Sequence, residues 1–265
     1  MPTPESAAAA PLLIERQGGV VSLQFNRPEA MNALDVATAQ ALLAALQGIA
    51  ADSSVRALLL HGAGRAFVAG GDLATLRADP VQGARDLLQP LNQALQLLQG
   101  LDAPVIAQVH GAAAGAGLSL MLMCDFVLAA EGSKFNLAYI NLGTSCDVGA
   151  SWALPRLVGL RRALEIAMLG EGFGCEQALQ WGLVNQVLPA AQLPAAAQAL
   201  AQRLASGPTR AYGQMRRLLR ASFDHDLPSQ LQAEAQAFEH CAHSADLKEG
   251  IEAFFARRKP EFKGC

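Results

Sequence analysis

Pro104-Val105-Ile106-Ala107-Gln108-Val109-His110-Gly111-Ala112-Ala113-Ala114-Gly115-Ala116-Gly117, followed by an apolar run to Ala130, is the stretch on which the fold turns. Pro104 to Val109 reads as a buried strand and Gly111 to Gly117 as a glycine-rich turn. The stretch from Leu118, interrupted by Ser119, Cys124 and Asp125, reads as a buried helix running into a strand, Phe126 to Ala129. The same order stands upstream: a strand over Val55 to Leu60, a glycine-rich stretch from His61 to Gly71, and a helix from about Pro90 to Gln99. Strands alternating with helices require crossover connections, so the expectation is an α/β fold with a largely parallel sheet.

Working outward, Leu12 to Ile14 and Val20 to Phe25 are short extended runs separated by Gly18-Gly19, a hairpin signal. Asp35 to Ala51 has helical spacing with Asp35 as its N-cap. Beyond Leu154 the pattern is helical over Leu160 to Leu169, Gln192 to Ser206, Thr209 to Ala221, Leu227 to His243 and Asp246 to Phe255. Only Val184 to Val187 reads as extended there. Ser206-Gly207-Pro208 interrupts this run. The expected organisation is a loose tail over 1–11, an α/β core over 12–205 and a helical region over 206–265 that covers its own core or a neighbouring subunit.

Bulk properties narrow the function. The chain of 265 residues is 52% hydrophobic and 16% charged, enough apolar content for one large core. A formal net charge of -3 without a long basic run lacks the footprint of nucleic-acid or anionic-membrane binding. The five cysteines have no CxxC spacing, which fits a reducing compartment and a cytoplasmic location. No segment reaches the roughly 18 uninterrupted apolar residues of a membrane span.

Two glycine-rich turns, Phe67-Val68-Ala69-Gly70-Gly71-Asp72-Leu73 and His110 to Gly117, each follow a strand and precede a helix. Small residues let a ligand approach the backbone, and unpaired N–H groups at a helix start favour an anion. The physical reading is two donors for one developing oxyanion; tight turns and close helix packing are the competing explanation. Neither turn fits a nucleotide-binding fingerprint, because the P-loop lysine and the GxGxxG spacing are missing.

Taken together, Asn26-Arg27-Pro28 with Asn32-Ala33-Leu34, Phe67 to Leu73, Val109 to Gly117 and Cys124-Asp125 resemble the motifs of the crotonase (enoyl-CoA hydratase/isomerase) superfamily, in the family's order. The similarity continues through Lys134-Phe135, Leu154 to Gly159, Gly182-Leu183-Val184 and Glu249-Gly250-Ile251, and spans about Leu12 to Phe262. The resemblance implies a spiral of ββα turns with a C-terminal helical region that builds trimers or hexamers. It implies an acyl-CoA thioester substrate, with coenzyme A arriving as part of that substrate and no separate cofactor or metal. The backbone N–H groups of Gly71 and Ala116 would hold the thioester oxygen. The loop Ala69, Gly70, Gly71, Asp72, Leu73 and Ala74 would line the coenzyme A site.

Departures from the family pattern bear on the reaction. The hydratases of the family carry two glutamates at places that hold Ser119 and Tyr139 here, and hydroxyls titrate too high to replace them. The remaining carboxylate in a suitable place is Asp147, within Gly143 to Trp152. It either caps the helix that follows or acts as an acid/base, the role an aspartate plays in similar isomerases, including the ring-epoxide isomerase of phenylacetate breakdown. The resemblance therefore points to double-bond isomerisation, with water-using chemistry or acyl-CoA binding without turnover as alternatives. A dehalogenase-like reaction is disfavoured, since Asn92 stands where that branch has a histidine. Tyr139 is a candidate pocket wall; Arg257-Arg258-Lys259 either meets coenzyme A phosphates or is a solvated face. The His240/His243 pair is read as surface, and Trp152 and Trp181 as core.

Overall fold

The computed structural model describes residues 10–265; the tail expected over 1–11 lies, except for Ala10 and Pro11, outside the described residues. Pro11 is held to the chain, its carbonyl accepting the Asn26 N–H at 2.8 Å. The hairpin is present as β1 (Leu12–Gln17) and β2 (Val20–Phe25), and α1 (Val36–Ala51) is capped by Asp35, whose carboxylate accepts the Thr38 N–H.

The chain continues through β3 (Ala57–Gly62), α2 (Leu73–Arg77), α3 (Pro80–Gly100), β4 (Val105–Val109), β5 (Ala112–Ala114), α4 (Ala116–Leu122) and β6 (Phe126–Ala130). It then forms β7 (Lys134–Asn136), a 3-10 turn over Tyr139–Leu142, α5 (Ala150–Leu169), β8 (Phe173–Gly174), α6 (Cys175–Gln180) and β9 (Gln186–Leu188). Four helices close it: α7 (Leu193–Ala205), α8 (Thr209–Ala221), α9 (Leu227–Ala242) and α10 (Ala245–Phe255). The main sheet has the order β1-β2-β3-β4-β6-β9, antiparallel only at the first pair, and a second sheet has the order β5-β7-β8.

Alternation along the strands divides the main sheet between two apolar layers. Leu58, Leu60, Val105 and Ala107 face the larger core with Leu42 of α1 and Leu91 of α3, while Ala57, Leu59 and Ile106 face Ala197 and Ala201 of α7. Burial on both faces explains why these strands read as unbroken apolar runs.

Several boundaries differ from the sequence reading. The helix expected from Pro90 begins ten residues earlier, at Pro80, with Asp79 accepting the N–H groups of Val81 and Gln82. Pro90 sits inside this helix, buried against α1, so packing outweighs its missing backbone donor. The strand expected over Val55 to Leu60 is displaced to Ala57–Gly62, and the one expected over Val184 to Val187 to Gln186–Leu188. The short strands β5, β7 and β8 carry no apolar run long enough to announce them.

The helical end of the chain is pinned by one buried cation. Arg216 of α8 pairs with Asp125 at 2.8 Å and also donates to the carbonyls of Leu98, Leu101 and Ala103, tying α8 to the α3–β4 loop and the start of β6. Trp152, expected in the core, is 37% exposed on α5, with the Arg156 guanidinium 4.4 Å above its ring. Trp181 is partly buried and packs on Phe173.

Candidate active site

The two glycine-rich turns are brought side by side by the backbone. Val68 and Ala113 form a parallel bridge, and the Ala114 N–H donates to the Val68 carbonyl at 3.0 Å. From the other side the first turn is held by Leu34, whose N–H donates to Gly70 and whose carbonyl accepts from Asp72. Buried Asn32 fixes the loop behind it, donating from Nδ2 to the carbonyls of Ala63 and Ala66 and accepting the Arg27 N–H. The motif residues Asn32 and Leu34 thus act as staples for the turn.

Glycine is required at two points of this contact. Gly115 adopts φ 49° and ψ -123°, a conformation closed to residues with a Cβ, and so starts α4 with its first N–H turned outward. Gly117 lies so close to the first turn that a Cβ there would stand 1.9 Å from the Val68 carbonyl oxygen.

Between the turns and α3 lies a cavity of about 470 Å³. Gly71 and Ala116 both line it, and neither N–H has a backbone or side-chain acceptor among the described residues. Two free donors at a helix start and an adjacent turn can bind one anionic oxygen. The opposite wall is apolar, from Leu76, Ala84, Leu87, Leu88 and Leu91.

Asp147 and Tyr139 complete the cavity, and Asp147 is the only charged residue among those lining it. Its carboxylate does not cap α5, whose N-cap is Gly149; it accepts a hydrogen bond from the Tyr139 hydroxyl. Tyr139 Oη lies 2.9 Å from Ser119 Oγ, which is 3.1 Å from the Gly115 carbonyl oxygen. Burial pushes the Asp147 carboxyl above the ordinary carboxylate range, with the Tyr139 hydrogen bond pulling the other way. Burial and the neighbouring Asp147 charge push the Tyr139 phenol upward, so it stays a protonated donor.

The backbone on both sides of this contact is strained. Ala138 has φ 56° and Val148, buried and β-branched, has φ 51°, a region such residues rarely occupy. Each costs on the order of 1–3 kcal/mol, held in place by the surrounding packing.

Of the other residues singled out, Ala69, Gly70 and Leu73 line the cavity, but Asp72 and Ala74 do not. The Asp72 carboxylate caps α2 through the Ala74 N–H and pairs with Arg27 at 3.0 Å, which fixes the loop from behind. Asn92 is exposed on α3, away from the cavity wall. His240 and His243 are exposed, and Arg258 is engaged by Glu249 at 2.8 Å. The sequence points to the stretch Arg77 to Leu95 as pocket lining without choosing residues in it; the structure selects Ala84, Leu87, Leu88 and Leu91 there, and adds Asn141 and Thr144 of the far wall, which sequence reading missed. The Asp79-Pro80 pair, a cap followed by proline at the first helical position, is the signal that would have placed α3 and found the leucines.

The sequence profile of the family described as Enoyl-CoA hydratase/isomerase matches residues 15–265. The chain is a member of the enoyl-CoA hydratase/isomerase family. It is 38% identical over 257 residues to a 1,2-epoxyphenylacetyl-CoA isomerase of Escherichia coli K12, covering 96% of this chain and 98% of that one. With the 2,3-dehydroadipyl-CoA hydratase of the same organism the identity is 37%, at the same coverage. Among solved structures, an enoyl-CoA hydratase from Bacillus anthracis superimposes with a TM-score of 0.91 at 32% identity, over 96% of this chain and all (100%) of that one. The crotonase fold and family membership expected from the motifs are therefore established, and acyl-CoA thioesters are the substrates consistent with the family.

Proposed function

We propose that this family member is an enoyl-CoA isomerase that moves a double bond along an acyl chain or ring. One observation carries the reading: a single carboxylate, Asp147, shares the cavity with the free N–H groups of Gly71 and Ala116. With the thioester oxygen in that hole, Asp147 removes a proton from the carbon beside the carbonyl. The electron pair passes into the enolate, and the oxygen's new charge is met by both donors, each worth about 3 kcal/mol in the transition state. The protonated Asp147 then returns its proton to the far carbon of the conjugated system, and the double bond has moved by one position. One base serves both steps, and its raised affinity for protons suits taking and returning one.

Ser119 and Tyr139 occupy the places where the resemblance expects the hydratase glutamates, which argues against water activation. The deciding experiment incubates 3-enoyl-CoA and 2-enoyl-CoA with the protein in heavy water and follows the products by mass spectrometry. Migration of the double bond with deuterium uptake and no added water is expected, and Asp147→Asn should abolish it with thioester affinity retained. A hydrated or hydrolysed product would refute isomerisation and give Asp147 a water-directed role.

We also propose that the active form is a homotrimer or a hexamer. Support comes from large apolar side chains left bare on α5 and the closing helices, among them Leu160 at 66% on α5, Leu219 at 62% on α8, and Phe254 and Phe255 at 78% each on α10. Sedimentation at micromolar concentration tests this, and a monomeric mass would refute it.

A further inference from the structure

Two hydroxyls connect the base of this site to its oxyanion hole. The chain runs from the Asp147 carboxylate through Tyr139 Oη and Ser119 Oγ to the carbonyl of Gly115. That carbonyl belongs to the same peptide unit as the N–H of Ala116, one of the two free donors. The chain contains fewer protons than contacts: two hydroxyl hydrogens serve three contacts while Asp147 is ionised. Ser119 then donates to Tyr139, Tyr139 donates to Asp147, and the Gly115 carbonyl keeps the backbone N–H of Ser119 at 3.0 Å but is without the serine hydroxyl's hydrogen bond. When Asp147 carries a proton, three hydrogens serve the three contacts in the opposite sense. Asp147 donates to Tyr139, Tyr139 to Ser119, and Ser119 to the Gly115 carbonyl.

Resting on the isomerase reading above, we propose that Ser119 and Tyr139 form a reversible hydroxyl chain that couples protonation of Asp147 to the donor strength of the Ala116 N–H. A hydrogen bond to a peptide carbonyl polarises that peptide and strengthens the bond its N–H makes. Asp147 gains its proton in the step that puts negative charge on the thioester oxygen, so Ala116 becomes the better donor when the oxyanion forms. Return of the proton reverses every link. No proton is lost or gained along the chain, and the two hydroxyls only reorient. Ser119 is fully buried, so bulk water does not compete for its hydrogen. Besides Asp147, the titratable groups lining the cavity are Tyr139 and Cys146; Arg85 and Asp86 of α3 do not line it, and α4 carries no charged residue.

The two hydroxyl residues are positioning residues in this scheme, and the test reads the carbonyl itself. A saturated acyl-CoA, which cannot isomerise, is bound to the protein, and the infrared stretching frequency of its thioester carbonyl is followed against pH. The wild type is expected to show a lower frequency with Asp147 protonated than with Asp147 ionised. In Ser119→Ala and Tyr139→Phe that pH-dependent step should vanish while the ligand stays bound. Tyr139→Phe should also raise the pH midpoint of kcat/KM, because the ionised carboxylate loses its donor. Either variant should lose about two- to fivefold in kcat with KM little changed, the share of one oxyanion donor that polarisation supplies. A pH-dependent step persisting in Ser119→Ala, or absent from the wild type with ligand bound, would overturn the coupling. Failure of any acyl-CoA to bind would instead defeat the functional reading on which it rests.

Discussion

Gly117→Ala tests whether the packing of the two turns builds the oxyanion hole. The added Cβ would stand 1.9 Å from the Val68 carbonyl oxygen and 2.8 Å from the Val68 Cβ. Ordinary contact begins near 3.4 Å, so the turns must part by about 1.5 Å, a displacement of backbone against backbone with no flexible side chain to absorb it. The parting breaks the hydrogen bond from the Ala114 N–H to Val68, 3.0 Å long in the wild type. Overpacking at about 1–3 kcal/mol together with a lost backbone hydrogen bond at about 1 kcal/mol gives about 2–4 kcal/mol of destabilisation. For a chain of this size that lowers Tm by about 5–15 °C. Ala116 precedes the substituted residue, so its N–H moves relative to Gly71, and a misplacement of about 1 Å at a reacting centre costs about 100-fold in kcat. Thermal unfolding followed by circular dichroism reads the first effect, and the double-bond-shift assay on the folded variant reads the second. Gly100→Ala is the control: at the end of α3 it meets nothing within 4 Å and is expected to leave Tm unchanged or raise it slightly. A Gly117→Ala protein with wild-type Tm and full kcat would refute the assignment of the hole to this contact.

Asp147 also bears on stability. Its carboxyl titrates above the ordinary 3.8, so between that value and its raised one the folded protein holds a proton that the unfolded chain has released. Its contribution to stability therefore falls as pH rises through that window, and above it a buried charge opposes folding. Asp147→Asn should raise Tm more at about pH 7.5 than at about pH 4, and an equal change at both would contradict the assignment. In the wild type, kcat/KM should rise with pH through the same window as the base ionises. Arg216→Met should cost about 3–5 kcal/mol in urea unfolding, because Asp125 loses one of its two arginines and the carbonyls of Leu98, Leu101 and Ala103 lose their buried donor. A loss below about 1 kcal/mol would mean that water or Arg220 replaces it.

The sheet was legible because its central strands are buried on both faces, so Ala57 to Leu60 and Val105 to Ala107 read as apolar runs whatever their register. That Gly71 and Ala116 bring free N–H groups to one cavity was legible because these backbone groups are placed by glycines, and glycine clusters stand out in a sequence. The α3 wall was obscured by Pro90, which marks a helix start in most contexts and here lies inside a helix begun by Asp79 and Pro80. Whether Asp147 caps α5 could not be read from sequence, since the partner of its carboxylate is Tyr139, which follows a left-handed residue, Ala138, and opens a 3-10 turn. Trp152 was misplaced because an exposed tryptophan and a buried one have the same sequence signature. Only an apolar face left uncovered on α5 distinguishes them.

The identities to a named isomerase and a named hydratase, 38% and 37%, are nearly equal, so overall identity does not choose between the two reactions. Identity over the whole chain is summed mostly over residues that build the sheets, helices and loops and lie outside the cavity. The side chains that we propose handle protons are few, and they sit on separate segments: Ser119 within α4, Tyr139 in the 3-10 turn, and Asp147 before α5. They are also mutually dependent. Ser119 has no exposed surface and its hydroxyl touches both Tyr139 and the Gly115 carbonyl, so a glutamate there would need the space that the phenol fills. Replacing Tyr139 by a carboxylate would set a second negative charge beside Asp147 and drive one of the two to stay protonated. In this chain the three side chains therefore constrain one another, and a substitution at 119, 139 or 147 is to be judged with the other two in place.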